Sequence, residues 1–577
     1  MPPLLAFLTL AAGLIDIISA LTPEWRVRLA DLRGILPASA SRQAAAFTVV
    51  VGLLLVLLSR GLRRRKRRAW RGAVVLLAAS VVLHVAKGLD YEEATASAAL
   101  LVILIVTRRE FPAKGDPRTR WRALGVGLLL ACASVVIGLA MLELRHTRIV
   151  GPRPLSAQIE QVLLGLIGIA GPLHFGSDRF SDLLTRILLT MGLVTVAVTA
   201  YLALRPPEPR PRLTPDDEAR MRGLLERFGV SDSLGYFALR RDKSVVWSPT
   251  GKACVAYRVV SGVMLASGDP LGDNEAWPGA IKAFLHEAAE HAWTPAVIGC
   301  SEAGGTAWAR AGLSALEFGD EAVVDVSEFT LEGRSMRNVR QAVGRVERAG
   351  YSFRATRMSD VDAEERASLH AQAAAWRGTE TERGFSMALG RTGDSADRDC
   401  VAMMAFTESP DGSGPVLRGF LHFVPWGSDG LSLDVMLRDK SADNGLNEFL
   451  IVAALKSAAD LGVKKVSLNF AFFRSALERG GRLGAGPVIK AWRGLLLFLS
   501  RWFQIDSLYR FNAKFQPRWV PRYVCFPSTG DLPRIALAML EAEAFLVWPQ
   551  TSLRPALGRL KARTRRRARA LRPAGKS

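Results

Sequence analysis

Six apolar runs, near residues 4–21, 44–58, 74–86, 94–106, 124–142 and 183–204, follow one another between charged segments. A backbone in hydrocarbon must satisfy its own N–H and C=O groups, so such runs have to become helices. Crossing a bilayer takes about 20 residues, and several runs are shorter, so their boundaries are loose. The expectation is a multi-pass α-helical membrane domain of about six helices over residues 1–205. Residues 161–175, short and broken by Gly171 and Pro172, are expected to re-enter the membrane or lie at its surface.

The basic loops set an orientation. Residues 63–68 (RRRKRR) follow the second run and residues 108–122 follow the fourth, so both loops belong on the cytoplasmic side. Six spans return the chain to that side at LRPPEPRPRL, whose residues 206–213 form a Pro/Arg linker. The first run lacks a basic leader segment and contains Asp16, which points to a retained span and not a cleaved signal peptide. Asp16 and His84 fall inside apolar runs; either they serve a function such as lipid translocation, or they lie near an interface and are solvated.

Beyond residue 213 the composition is that of a globular α/β protein. Two passages share an order of strand, strand, helix, strand. The first runs through GVMLASGDPLG, a helix at 278–291, PAVIGCS, a helix from Thr306 and AVVDV. The second runs through VLRGFLHFVPWG, SLDVML, a helix at 446–461 and VKKVSLNF. Two related α/β modules are expected, at 214–350 (with a basic helix) and 351–550, then a basic tail at 551–577. The tail is read either as a tRNA- or lipid-binding arm or as a disordered solubilising segment.

Charge narrows the partners. The 577 residues carry a formal net charge of +22, which favours anionic lipid headgroups, nucleic acid or both. On a helix, Arg334, Arg337, Arg340, Arg345 and Arg348 form a basic stripe, either a phosphate track or a solvated face. The five cysteines are scattered without metal-ligand spacing, so neither a zinc site nor a disulfide framework is expected. His286 and His291 are five apart, about 140° around a helix, and cannot share a metal as an i, i+4 pair does. GRLGAGP at 481–487 lacks both the P-loop Lys-Ser/Thr and the acetyl-CoA signature, leaving a gating loop or a plain connection.

Several motifs in order carry a resemblance. Residues 434–438 (DVMLR), Asn444-Gly445 with 447–450 (NEFL), 467–470 (SLNF), and the run from Tyr509 through Lys514, Phe515, Pro517, Trp519 and Tyr523 resemble the C-terminal domain of the aminoacyl-phosphatidylglycerol synthases, the multiple-peptide-resistance-factor family. Gly268-Asp269-Pro270, Trp376 and Gly384-Phe385-Ser386 add to it. NFAFFRS and SLYRFNAKFQPRWVPRY look closest to the actinobacterial branch in which this domain is fused to a lysyl-tRNA synthetase. Here the chain ends in the basic tail where that synthetase would begin, so a separate aminoacyl-tRNA synthetase is expected to supply the donor.

The resemblance implies a cytosolic α/β domain of two tandem GNAT-like (acyltransferase) folds. It implies transfer of an aminoacyl group, lysyl in the fused branch, from aminoacyl-tRNA to a headgroup hydroxyl of phosphatidylglycerol, which lowers negative membrane charge and gives resistance to cationic antimicrobial peptides. No cofactor and no metal is expected, because the ester is already activated. Asp434 is expected as base or as partner of the substrate amine, Arg438 as phosphate holder or as orienter of Asp434, and Asn469 as oxyanion donor. Substrate binding is assigned to Asp269, Asn444, Glu448, Tyr509, Lys514, Arg518, Trp519, Arg522 and Tyr523. Each also has a plain structural role open to it, such as a cap, a surface ion pair or core packing.

Overall fold

A computed structural model of the chain describes residues 1–21, 38–63, 65–88, 91–111, 117–169, 171–204, 209, 212–377, 384–409, 412, 414–472 and 505–546. Helices α1 (Pro2–Leu21), α2 (Ala38–Arg63), α3 (Arg67–Gly88), α4 (Tyr91–Val106), α5 (Pro117–Leu144) and α7 (Asp178–Leu204) each contain one of the six apolar runs. Among the described residues, four windows are long and apolar enough to cross a membrane: Pro2–Ser19, Arg67–Val85, Ala123–Leu144 and Arg179–Ala200. With 16 residues, α4 is about 24 Å long, short of a hydrocarbon core of about 30 Å. Over the stretch expected to re-enter the membrane or lie at its surface, the short α6 (Leu155–Leu166) is followed by β2 (His174–Phe175), antiparallel to β1 (Ile149–Val150).

Leu5, Leu55, Leu62, Ala73, Leu77 and Leu104 form the core of α1–α4, and Leu142, Val162, Leu184 and Leu188 that of α5–α7. A Cβ on Gly13 or on Gly52 would come within 2.6 Å of the other's carbonyl oxygen, so α1 and α2 touch backbone to backbone. Beside that contact, Asp16 Oδ1 lies 2.9 Å from His84 Nε2, and Ser80 Oγ donates to both Asp16 oxygens at 3.2 and 3.0 Å. Neither residue is solvated near an interface as one reading of the sequence had it: Asp16 is 1% exposed and His84 is fully buried. A carboxylate in an apolar bundle has to find its donors inside, and α3 supplies them.

The remaining elements divide between two compact units. The first comprises Met1–Gly229, Arg241–Glu317 and Tyr523–Asp531; the second comprises Val230–Arg240, Phe318–Arg522 and Leu532–Ser577. In the first, α8 (Pro215–Phe228) begins at Thr214, whose hydroxyl accepts from Asp217 N–H as an N-cap should. Strands β3 (Ser244–Trp247), β4 (Ala253–Val260) and β5 (Val263–Ser267) form an antiparallel meander, with β6 (Leu271–Gly272) on β4. Helix α9 (Trp277–Glu290) carries the chain to β7 (Thr294–Cys300), parallel to β5, and α10 (Glu302–Arg310) follows.

The second unit repeats the plan. Its strands run β8 (Ser314–Asp325), β13 (Lys465–Phe472), β12 (Gly430–Arg438), β11 (Pro415–Trp426), β10 (Val401–Glu408) and β9 (Ser352–Arg357). All neighbours are antiparallel except β12 and β13, which are joined by the crossover helix α13 (Leu446–Ser457). Each module thus has an antiparallel meander, a helix and one parallel pair, the GNAT-like arrangement expected twice. Helices α11 (Arg337–Arg348), α12 (Ala363–Arg377), α14 (Ile505–Ala513) and α15 (Leu532–Ala542), and β14 (Arg518–Phe526), complete the described fold. Gly445 opens α13 at φ +104°, and a Cβ there would meet Ala342 of α11 at 3.1 Å, so only glycine fits.

Candidate active site

The parallel pairing of β12 with β13 ends at Ser432 opposite Ser467, and β13 then bulges between Ser467 and Phe470. Asn469 occupies that bulge at φ +69°, a left-handed conformation that asparagine tolerates better than most residues. Its Nδ2 donates to Leu433 O at 2.6 Å, and Asn512 Nδ2 of α14 donates to Leu468 O at 3.1 Å. Side-chain amides thus cap carbonyls that the parting strands leave without ladder partners. One N–H of the Asn469 amide is thus directed inside the fold, and its Oδ1 has no hydrogen-bond partner among the described residues.

Asp434 is enclosed. Its Oδ1 accepts from Leu389 N–H at 2.7 Å, its Oδ2 lies 2.7 Å from His422 Nδ1, and its side chain is closed to solvent. Burial by itself pulls the His422 imidazole down, but Cys400 and Asp434 outweigh it and push it up to about 10. Burial pushes the Cys400 thiol up as well. At neutral pH His422 is therefore held as the imidazolium beside Asp434. Arg438 Nη1 donates to Ala442 O at 3.1 Å and Asp443 O at 3.2 Å, tying down the loop before α13.

The residues assigned to substrate binding divide. Arg522 is 3% exposed and donates to Glu321 Oε2 at 2.9 and 2.5 Å, to Asp232 Oδ1 at 2.7 Å and to Ser233 Oγ at 2.6 Å. Glu321 also accepts from the Ser233 and Ser467 hydroxyls. A guanidinium so enclosed is a core hub and holds no phosphate. Tyr523 is a sheet residue of the first unit, paired with Cys300. Asp269, also in the first unit, accepts from Ser301 N–H at 2.8 Å and Ser301 Oγ at 2.5 Å, bracing the start of α10.

Other expected residues remain at the surface. Lys514 Nζ donates to Glu448 Oε1 at 2.7 Å, joining the end of α14 to the first turn of α13. Tyr509 and Trp519 are half-buried with ring centroids 5.4 Å apart. Arg518 is exposed, 3.5 Å from Asp325, and Asn444 is exposed before Gly445. Helix α11 buries Val339, Val343 and Val346 and exposes Arg337, Arg345 and Arg348, with Arg334 exposed just ahead of it. Arg340 bends back to the carbonyls of Leu331 and Gly333. The 481–487 segment and the basic tail lie outside the described residues.

The hub carboxylates Asp232 and Glu321 and the pair His422–Cys400 are not apparent from the sequence. A lone histidine within the apolar strand PVLRGFLHFVPW is the signal available for the latter.

Residues 222–526, more than half of the chain, match the family model for the C-terminal region of phosphatidylglycerol lysyltransferase. The chain belongs to the phosphatidylglycerol lysyltransferase family. Residues 1–148 match the model for the transmembrane region of lysyl-tRNA synthetase. The lysylphosphatidylglycerol biosynthesis bifunctional protein LysX of Rhodococcus opacus (strain B4) is 44% identical over 464 residues, 79% of this chain and 40% of that protein. LysX of Mycobacterium tuberculosis (strain ATCC 25618 / H37Rv) is 44% identical over 451 residues, 78% of this chain and 38% of that protein. The chain thus spans about two fifths of the length of these relatives. The structure of L-PGS from Bacillus licheniformis overlays with a TM-score of 0.49 at 21% identity, covering 59% of this chain and 98% of that one.

Proposed function

We propose that this lysyltransferase-family chain transfers an aminoacyl group, lysyl, from aminoacyl-tRNA to a headgroup hydroxyl of phosphatidylglycerol. The family match over residues 222–526 carries the reading. The hydroxyl oxygen bonds to the ester carbonyl carbon, the bond from that carbon to the terminal ribose oxygen breaks, and the hydroxyl proton passes to the ribose oxygen. The ester is already activated, so positioning and electrostatics supply the acceleration. The exposed Arg334, Arg337, Arg345 and Arg348 serve as a phosphate track for tRNA, and Arg518 extends the basic surface. The α1–α7 bundle holds the transferase at the bacterial cell membrane, with the basic loops and the transferase on the cytoplasmic side. The aminoacylated lipid carries added positive charge, which weakens attraction of cationic antimicrobial peptides.

Lipid mass spectrometry tests this in a host that lacks aminoacylated lipids but holds a full set of charged tRNAs. Expression should produce lysyl-phosphatidylglycerol. A different amino acid in the product would correct the donor, another acylated lipid would correct the acceptor, and no new lipid from membrane-inserted protein would reject transfer.

A further inference from the structure

Two cysteines meet inside the first unit. Cys300, the last residue of β7, pairs with Tyr523 of β14, whereas Val524 pairs with Ile298 and Cys525 with Val297. Gly299 is therefore the extra residue of a bulge, and it adopts φ +70°, a left-handed conformation that glycine takes without strain. Residues paired across antiparallel strands share a face, and Cys525 lies two positions beyond Tyr523, so Cys300 and Cys525 belong to one core layer. A bulge sharpens the local twist, and here the two sulfurs come within 3.5 Å of each other. Cys300 Sγ also donates to Tyr523 O at 3.5 Å. Both residues are fully buried, and 225 positions of sequence separate them.

We propose that Cys300 and Cys525 are a site of oxidative modification, at which hydrogen peroxide joins them as a disulfide. This goes beyond the transfer reading and does not depend on it. One thiol sulfur bonds to a peroxide oxygen, the O–O bond breaks, and water leaves with the thiol proton, giving a sulfenic acid. The second sulfur then bonds to the first, the S–O bond breaks, and a second water leaves with the second proton. Two thiols are oxidised and one peroxide is reduced to two waters. The sulfurs have about 1.5 Å to close before they reach disulfide length. In a closed core the nearest partner of the sulfenic acid is the second thiol, so the disulfide forms ahead of higher oxidation. The bond closes into one loop a stretch that includes Phe318–Arg522 of the second unit. Because a long closed loop restricts the unfolded chain, the oxidised protein is the more stable form.

The test uses the full chain in phosphatidylglycerol vesicles, treated with hydrogen peroxide, alkylated in denaturant and mapped by peptide mass spectrometry. A peptide linking Cys300 to Cys525, lighter by two hydrogens and split by dithiothreitol, should replace the two alkylated peptides. Cys254, buried in the same unit with its thiol pushed up by burial to about 12, is the internal control and should remain alkylatable. Recovery of Cys300 and Cys525 as alkylated thiols overturns the inference, and so does their appearance as separate sulfinic or sulfonic acids. On non-reducing gels the oxidised wild type should run ahead of the reduced chain, because the closed loop keeps the denatured chain compact. Cys525→Ala should lose both the linked peptide and the faster band, and a faster band that persists in it overturns the assignment. The wild-type peptide map decides by itself should that variant not fold. Urea denaturation of the oxidised protein should show a higher midpoint than the reduced protein, and an equal or lower midpoint overturns the stabilising role.

Discussion

Arg522 grips Glu321 Oε2 with both Nε (2.9 Å) and Nη2 (2.5 Å), and neither side chain is more than 3% exposed. The same guanidinium reaches Asp232, so residues far apart in sequence meet on one cation. Removing it strands two carboxylates in the core. Arg522→Met should cost about 3–5 kcal/mol, the usual result of breaking a buried ion pair. Chemical denaturation of the full chain measures this. The folded fraction should keep the salt dependence of tRNA affinity, because Arg522 contacts no phosphate.

The His422–Asp434 pair gives stability a pH dependence. Folding raises the His422 pKa from an ordinary value of 6.5 to about 10, so its contribution is complete below pH 6.5 and is lost as pH rises through 10. Cys400, raised by burial, acts in the same direction. The thermal midpoint of the wild type should fall between those two pH values, and His422→Gln should flatten that slope.

Arg334, Arg337 and Arg345 are exposed, so on the proposed phosphate track replacing them should act on binding and leave the fold alone. Each change to alanine should weaken tRNA binding alike across tRNA sequences and reduce the salt slope by about one. Stability should stay within about 0.5 kcal/mol. Binding titrations at several salt concentrations give the slope.

Gly445→Ala should destabilise the second unit by more than about 1 kcal/mol, since the residue sits at φ +104° and its new methyl group meets Ala342 at 3.1 Å. Shortening the partner does not rescue the backbone. Ala342→Gly in the same chain should therefore recover part of the loss, and denaturation of the single and double variants separates the two terms.

Much of the architecture was legible in the sequence. Apolar runs bounded by charge marked the six long helices, since backbone polar groups in hydrocarbon leave no other choice. Alternating strands around α9 and α13 marked the two modules, because burial on one face imposes its period on the residues that supply it. The motif order marked the family.

What each polar residue does was decided by tertiary contact. Asp434 reads in sequence as a reactive carboxylate at a strand end, yet the Leu389 amide and His422 enclose it. Arg522 lies in a run of basic and aromatic residues like its exposed neighbour Arg518, but its position in β14 turns it inward onto Glu321. Asp16 and His84, 68 positions apart, find each other only where α1 comes beside α3. Periodicity reports which face of an element is buried. Whether a charge there meets a partner or remains available to a substrate depends on residues distant in sequence, and folding alone brings those together.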